Sequence, residues 1–523
     1  MRLIYNIHTM KTFSFDAIRQ LAVLWIIFGF ALASGVNAQT AEDALRFSRR
    51  FPANGAVMLG RGGAGIAGVA DYSAMSINPA GLGFYDSSAF TGSLSALRTG
   101  DDGAFRISGA SSGLNTNVND TRLGHLAYIY KFPTARGSLV IGAAFTQVNT
   151  FERSLNYSGE NPSNSITDFL MPVPGEFTLE NGSDGVFPNF TRDLSFIGFE
   201  TFAIDLNQGL VDAGDPVPFL PAVTAGTVLQ TGNVVESGRM KEVNIGGAGE
   251  AAPGVMVGLS VNIPFGTYRF NRIFEEDDFR NDNNGTGGTT DFNFLSLNER
   301  VKSELIGVNV RAGVTAQLNR LVRVGLTVES PTYYNIDESF DTRLETIFDN
   351  GDSFIYGDQP DENAGSGVFK YDINTPWRLG AGLTLENARI SVSADAEYVD
   401  WSQLELKSKN ASFADENRFI TQNLDAVINT RIGVQYTFGD VDLRGGFDYQ
   451  PDPRKATGGL DRDKTYFSAG LGYRFDEQVQ VDLGWMQERF DDRYLPYSEV
   501  TNAPVVNEQV TRNRFSLGFK LLF

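Results

Sequence analysis

Few side chains in this sequence are of a type and spacing that could do chemistry. Beyond residue 38 the only histidine is His125, and the chain has no cysteine and no HExxH. A serine nucleophile needs a base. By parity with Leu123 and Ala127, opposite Leu126, Tyr128 and Tyr130, His125 falls on the inward face of a strand, which leaves a catalytic role open but unsupported. The glycine run Arg61 to Gly68 is neither preceded by a strand nor followed by Gly-Lys-Ser/Thr, so it does not read as a phosphate cradle. Glu275-Glu276-Asp277-Asp278 with Asn281 to Asp291 offers hard oxygen ligands of the kind calcium takes, but in no EF-hand spacing. A solvated outer loop is the favoured reading there and at Asp349 to Asp361. No metal, cofactor or catalytic residue is therefore expected, and the chain is not expected to be an enzyme. Its formal net charge of −20 argues against a nucleic-acid partner.

The elements that must position such residues begin with a leader. Lys11 and Arg19 flank an apolar run from Leu21 to Ala33, followed by Val36-Asn37-Ala38 and Gln39, the pattern of a secretory signal peptide cleaved after Ala38. About 13 apolar residues make roughly 20 Å of helix, short of the ~30 Å hydrocarbon core of a bilayer. No later run is long enough to span as a helix, so the mature chain either stays in water or crosses a membrane as a barrel. Its 40 phenylalanines at only 42% hydrophobic residues suit strands with one polar face.

Alternation is clearest at the C-terminus. Phe515, Leu517, Phe519, Leu521 and Phe523 take every second position, with Arg514, Ser516, Gly518 and Lys520 between them. Upstream, hairpins turn at Asp476-Glu477-Gln478, Gly439-Asp440 and Asn387-Ala388, and shorter signals place turns at Asn319-Arg320, Pro264-Phe265-Gly266 and Pro133 to Arg136. Between them lie long connections near 99–120, 151–250, 276–292, 335–369, 402–420, 450–464 and 491–508. Six short turns alternating with seven long loops predict an all-β fold: a 14-stranded antiparallel transmembrane β-barrel, its short turns periplasmic and its long loops extracellular with some helix. Asp395 and Glu397 share one strand face with Ser391 and Ser393, so that face is expected to meet water or a polar plug in the lumen.

Residues 39–87 do not alternate. They are expected to form a periplasmic N-terminal segment and a hatch inside the barrel of 88–523, because the glycines and alanines from Arg61 to Tyr85 let backbone approach backbone closely. Asn78 before Pro79 favours a turn where the plug meets the first strand. Arg61 and Asp71 need partners inside a lumen, and Asp395 and Glu397 are candidates for Arg61. The Gly/Ala-rich segment with Asn78-Pro79-Ala80, the strand end Trp401-Ser402-Gln403 and the terminal phenylalanine resemble the FadL/TodX long-chain fatty-acid and hydrocarbon transporters of the outer membrane. The resemblance covers most of the chain and leaves 151–250 unmatched. It implies a hatch carrying Asn78, Pro79 and Ala80, to which Arg61 and Asp71 are added as polar residues of the plug; the terminal strand resembles that of outer-membrane barrels in general, which implies an assembly signal at Phe519 and Phe523 read by the barrel assembly machinery. The family resemblance also implies an outer hydrophobic groove and a third strand, about Gly137 to Thr150, kinked into a lateral exit, with Gly142 as the residue that allows a bend.

For that groove the local candidates lie at helical spacing: Phe196, Phe199, Phe202, Ala203, Leu206 and Leu210, followed by Phe219. Packing of the loop on itself is the plainer account. The function expected is passive outer-membrane transport of a long-chain fatty acid or similar hydrophobic small molecule, with outer-membrane lipid and lipopolysaccharide as neighbours. A porin for small solutes is the alternative, and an outer-membrane hydrolase a weaker one.

Overall fold

The structure, a computed structural model, describes residues 41–107, 110–182, 185–223, 226–278, 292–456, 459–498 and 500–523. The expected leader and the stretch Asn281 to Asp291 lie outside the described residues. Fourteen antiparallel strands close into a barrel. They are β1 (Ala89–Ile107), β2 (Ala110–Lys131), β3 (Leu139–Thr150), β4 (Val228–Ala252), β5 (Val255–Asp277), β6 (Phe292–Gln317) and β7 (Val322–Glu329, continuing as Tyr333–Phe348). There follow β8 (Gly367–Asn374, continuing as Arg378–Glu386), β9 (Ile390–Asp400), β10 (Ala426–Phe438), β11 (Val441–Gln450), β12 (Lys464–Arg474), β13 (Val479–Tyr494) and β14 (Val505–Leu522). Closure is the ladder from Ala89↔Leu522 to Arg106↔Val505. Prolines set the breaks within β7 and β8, since Pro331 and Pro376 donate no ladder hydrogen bond. Thr332 and Thr375 bridge the break, Thr332 N donating to Thr375 Oγ1 at 2.8 Å and Thr375 N to the Thr332 carbonyl at 3.1 Å.

Outward residues form an apolar belt, for example Val257, Leu259, Val261 and Ile263 on β5, while inward Ser260 and Asn262 are buried. From Val257 to Phe265 is nine residues, close to the ~9–11 that a tilted strand needs to span a bilayer. The strands then run on past the belt. The expected loop at 99–120 is instead a hairpin paired up to Ile107↔Ala110. Likewise β4 starts inside the expected 151–250 connection and β7 ends inside 335–369. Outside the lipid both faces can be polar, so the apolar alternation that marks a strand in the belt fades while the ladder continues.

The turn expected at Pro264-Phe265-Gly266 is not a turn. Pro264 pairs with Glu242 within the β4–β5 ladder, and the chain reverses at Pro253-Gly254. Pairing of β5 to β6 passes from Asn262↔Asn309 to Phe265↔Ile306, so the proline sits where that ladder is interrupted and no donor is needed. The helix expected from Phe196 to Leu210 ends at Glu200: Phe202 takes a left-handed φ of 57°, and Ile204–Leu206 is a strand paired with Phe219–Pro221.

Candidate functional site

Inside the barrel the N-terminal chain descends and then climbs out into β1. Its first helix, α1 (Ala41–Ser48), is not periplasmic; Ala44, Leu45 and Phe47 pack in the outer half of the lumen against Phe151, Tyr268, Tyr334, Tyr371 and Trp401. Below α1 come the helix Gly55–Gly60, the glycine run, the helix Ala74–Ile77 and the turn of 3-10 helix Pro79–Phe84. Asn78, 1% exposed, ties this hatch together and to the wall. Its Nδ2 donates to the carbonyls of Ile66 (2.7 Å) within the hatch, and of Leu326 (3.2 Å) on β7 and Val314 (3.3 Å) on β6. Its Oδ1 accepts from Ala80 N at 3.1 Å, so Asn78 caps the helical turn that Pro79 opens.

The wall is cut away to receive that backbone. A methyl group at Gly258 would collide with Pro79 and Ala80, one at Gly313 would stand 2.7 Å from Asn78 Cγ, and one at Gly325 would strike the Ile66 carbonyl. The same holds at Gly382 against Ala67 N (2.8 Å), at Gly433 against Arg61 O (2.5 Å) and at Gly470 against Gly60 Cα (2.9 Å). Gly258 faces Gly313 across the β5–β6 ladder and Gly325 faces Gly382 across β7–β8, so these notches line up as a belt inside the barrel. Small residues are expected in the plug; those in the wall escape the sequence reading, because a glycine at an inward position of one strand looks unremarkable until six strands are superposed.

The polar expectations are met with different partners. Asp395 is buried in the lumen and does hold the hatch, but through backbone: its Oδ2 accepts from Gly65 N (2.6 Å) and Ile66 N (2.9 Å). No ion pair joins Arg61 to Asp395 or Glu397. Arg61 donates instead to Ser393 Oγ at 2.8 Å. Asp71 accepts from Ser73 N (3.0 Å), a local turn. Glu397 serves Arg378 and Arg431, each at 3.3 Å, and Arg50 at 3.7 Å, while Arg50 also reaches Glu329 at 2.7 Å. Arg311 extends the chain of charge to Glu329 (2.7 Å) and Glu242 (3.0 Å). Glu242, Glu329 and Glu397 persist as buried charges because each has a guanidinium partner. His125 is inward together with Ala127, whereas Leu123, expected on the same face, is 40% exposed because the ladder to β1 bulges between them; His125 has Nδ1 on Ser93 Oγ (2.7 Å), Nε2 on Thr91 Oγ1 (3.1 Å) and its ring stacked on Tyr72 of the hatch at 3.6 Å. Both nitrogens are engaged and the ring is covered, which makes it an anchor for the plug.

A seam opens beside the hatch. Pairing of β2 with β3 stops at His125↔Thr146, and above it β2 has ladder partners only on β1 among the described residues. The register of β3 shifts between Gln147 and Asn149, and after Thr150 the chain folds inward as the strand Arg153–Asn161, with Tyr157 stacked on Phe105 at 5.9 Å. Gly142, the expected bend, stays in regular register with Ile129 and Gly246; its missing side chain makes room for Ile129 and Met75. The hatch itself holds the kink. Phe51 N donates to the Val148 carbonyl at 2.8 Å, and Asn149 Nδ2 donates to the Arg49 carbonyl at 2.9 Å.

On the outer side, Phe219 is buried, with Phe190 5.5 Å and Phe177 5.0 Å away, and Phe196 and Phe199 pack on the same cluster. Leu206 is half-buried, and Phe202 is 45% exposed, 4.5 Å from Phe354. Phe519 and Phe523 face outward, Phe519 against Phe90 across the closing ladder and Phe523 near Tyr128.

Residues 235–511 match the family model described as outer membrane protein transport protein (OMPP1/FadL/TodX). The chain belongs to this family. Among curated relatives it is similar to outer membrane protein P1 of Haemophilus influenzae, 26% identical over 202 residues, which is 37% of this chain. The chain spans 40% of that relative's length. Among solved structures it is similar to a Pseudomonas aeruginosa FadL homologue at 12% identity, covering 90% of this chain and 98% of that one with a TM-score of 0.51. It is also similar to the P. putida toluene transporter TodX, at 15% identity, 90% and 99% coverage and a TM-score of 0.49. As a member of the family it is an outer-membrane protein.

Within the family match lie Gly258, Gly313, Gly325 and Asp395, so the wall side of the hatch contact is inside the matched residues while the hatch itself precedes them.

Proposed function

We propose that this barrel is a passive outer-membrane channel for hydrophobic small molecules, a long-chain fatty acid or a hydrocarbon, which leave sideways through the β2–β3 seam. The observation that carries the reading is the coupling of hatch and seam. The segment that leads into the plug donates Phe51 N to Val148 O, at the point where β3 turns inward. A hatch that shifts must release that carbonyl and let the seam change. A wall ladder interrupted at this height also gives an apolar solute a route into lipid that avoids the ion-paired lumen. A porin needs an open aqueous path, whereas here the hatch backbone packs directly on the wall. The aromatic cluster around Phe190, Phe196, Phe199 and Phe219, with Phe202 and Leu206 at its edge, supplies an apolar surface outside on which a solute first lodges. The hatch residues Arg61, Asp71, Asn78, Pro79 and Ala80, with Asp395 and Glu397 in the lumen, are its gate. Phe519 and Phe523 present the outward aromatic end that barrel assembly machinery would read.

The native chain has no cysteine, so a pair can be placed across the seam, at Thr121 and Gln147, and joined by a short bis-maleimide. Uptake of labelled oleate by a host lacking its own transporter is expected to fall to background on crosslinking and to recover with a cleavable linker. Uptake that continues through the crosslinked protein sinks the lateral route, and faster entry of small sugars with no oleate uptake favours the porin.

A further inference from the structure

One cavity lies on the outside of the barrel, not in the lumen. It is a groove of about 800 Å³ on the wall formed by β4 to β7. The ladders place its residues in rows. The lowest row, Val243, Ile263, Val308 and Tyr333, is entirely apolar. The next, Lys241, Phe265, Ile306 and Asn335, is mixed, and the one above, Arg239, Thr267, Glu304 and Asp337, is polar throughout. Arg269 stands one row higher, beside Ser237. The groove therefore straddles the level where the lipid-facing belt gives way to polar residues, that is, the headgroup level of the outer leaflet.

Its charges are unevenly matched. Glu304 is paired with Lys302, and Asp337 with Lys370 at 2.9 Å. Glu152 accepts from Gly238 N at 3.3 Å. Among the described residues Arg239, Lys241 and Arg269 have neither an ion pair nor a side-chain hydrogen bond, and Lys241 lies over the Phe145 ring at 5.7 Å. Rows of one strand face are ~6.6 Å apart and neighbouring strands ~4.8 Å, so at the backbone Arg239 stands about 7 Å from Lys241 and about 8 Å from Arg269, within reach of three long side chains closing on one anion. Gly238, in a left-handed φ of 114°, and Gly266 line the groove between these side chains.

We propose that this groove binds a phosphate of lipopolysaccharide, with Arg239, Lys241 and Arg269 on the anion and acyl chains lying over Phe265 and Ile306 below. Three unpaired cations directly above an apolar floor match a phosphorylated, multiply acylated glycolipid in both charge and order of layers. The proposal rests on the chain's place in the outer membrane and not on the transport reading.

The test is native mass spectrometry of the full-length protein in detergent with added bisphosphorylated lipid A, in EDTA so that no divalent cation bridges phosphate to Glu304 or Asp337. One bound lipid A is expected. Its affinity is expected to fall at least about tenfold, the equivalent of ~1.4 kcal/mol, in Arg239→Gln/Lys241→Gln/Arg269→Gln and for dephosphorylated lipid A on the native protein. The control Arg300→Gln/Lys409→Gln, outside the groove, is expected to bind normally, and heat-shifted gel migration reports that every variant is a closed barrel. Equal affinity of the triple variant, or equal affinity for dephosphorylated lipid A, overturns the proposal. So does oleate competing at this groove with lipid A absent from it, which would make it an exit for carboxylate amphiphiles. Failure of oleate uptake in the seam experiment leaves this result unaffected, so the two readings fail separately.

Discussion

Replacing Asn78 with alanine is expected to loosen the hatch, and Gly313→Ala to do the same for one shared reason. Asn78→Ala deletes the donor to Ile66 O at 2.7 Å and the acceptor for Ala80 N at 3.1 Å, besides two longer contacts to the wall. A buried amide hydrogen bond contributes ~1 kcal/mol and a stranded buried partner costs ~1–3 kcal/mol, so the loss is of order 2–4 kcal/mol. Gly313→Ala puts a methyl group within 2.7 Å of Asn78 Cγ, so Asn78 must leave its position and surrender those same bonds. Once residue 78 is alanine, the nearest remaining neighbour of the new methyl is Leu326 O at 3.2 Å, a contact that small shifts relieve. The double variant is thus expected to be hardly worse than Asn78→Ala alone, giving a coupling of at least ~2 kcal/mol. Amide hydrogen exchange across residues 55–84 in detergent reads the opening free energy, with amides of β13 as the internal reference. Single effects that add within ~0.5 kcal/mol, or hatch exchange unchanged in Asn78→Ala, would refute the account of Asn78 as the link between plug and wall.

Three other perturbations follow from the same geometry. Glu276, fully buried above the belt where it accepts from Ile166 N (2.7 Å), Gln230 Nε2 (2.6 Å) and Ser165 Oγ, is pushed up to about 7 from 4.5, chiefly by burial and further by the charge of Asp168, with the Tyr497 hydroxyl also facing this cluster. Its folded form favours the proton, so the stability of the outer loops is full below about 4.5 and falls, by about 3 kcal/mol in all, as pH rises through about 7; Glu276→Gln is expected to flatten that profile in thermal melts. Arg50→Ala removes the link to Glu329 and Glu397, but each keeps another guanidinium, so a loss of ~1–2 kcal/mol is expected, seen as faster exchange at residues 49–54 and higher leak conductance in planar bilayers. Phe219→Ala is expected to cost ~3–5 kcal/mol in loop stability, whereas exposed Phe202→Ala leaves the melt unchanged and weakens capture of labelled oleate by whole cells.

Strand parity, the sorting of short turns from long loops and the inward side of His125 and Asp395 were all legible in the sequence, because each follows from a two-residue period read along a few neighbours and from the contrast between lipid and water. The strand count survived a misplaced turn at Pro264, since a reversal at Pro253-Gly254 leaves the same number of crossings. Partners were not legible. Asp395 meets Gly65 and Ile66 about 330 positions away and not Arg61, Asn78 finds its glycine notch at 313, and β3 kinks at Gln147–Asn149 where Phe51 binds it and not at Gly142. The groove on the outer wall likewise needs residues from β4, β5, β6 and β7 side by side. Local alternation is set by the environment each strand face meets. Contact between a plug and its wall is set only when the barrel closes around it, and no period along the chain encodes that distance.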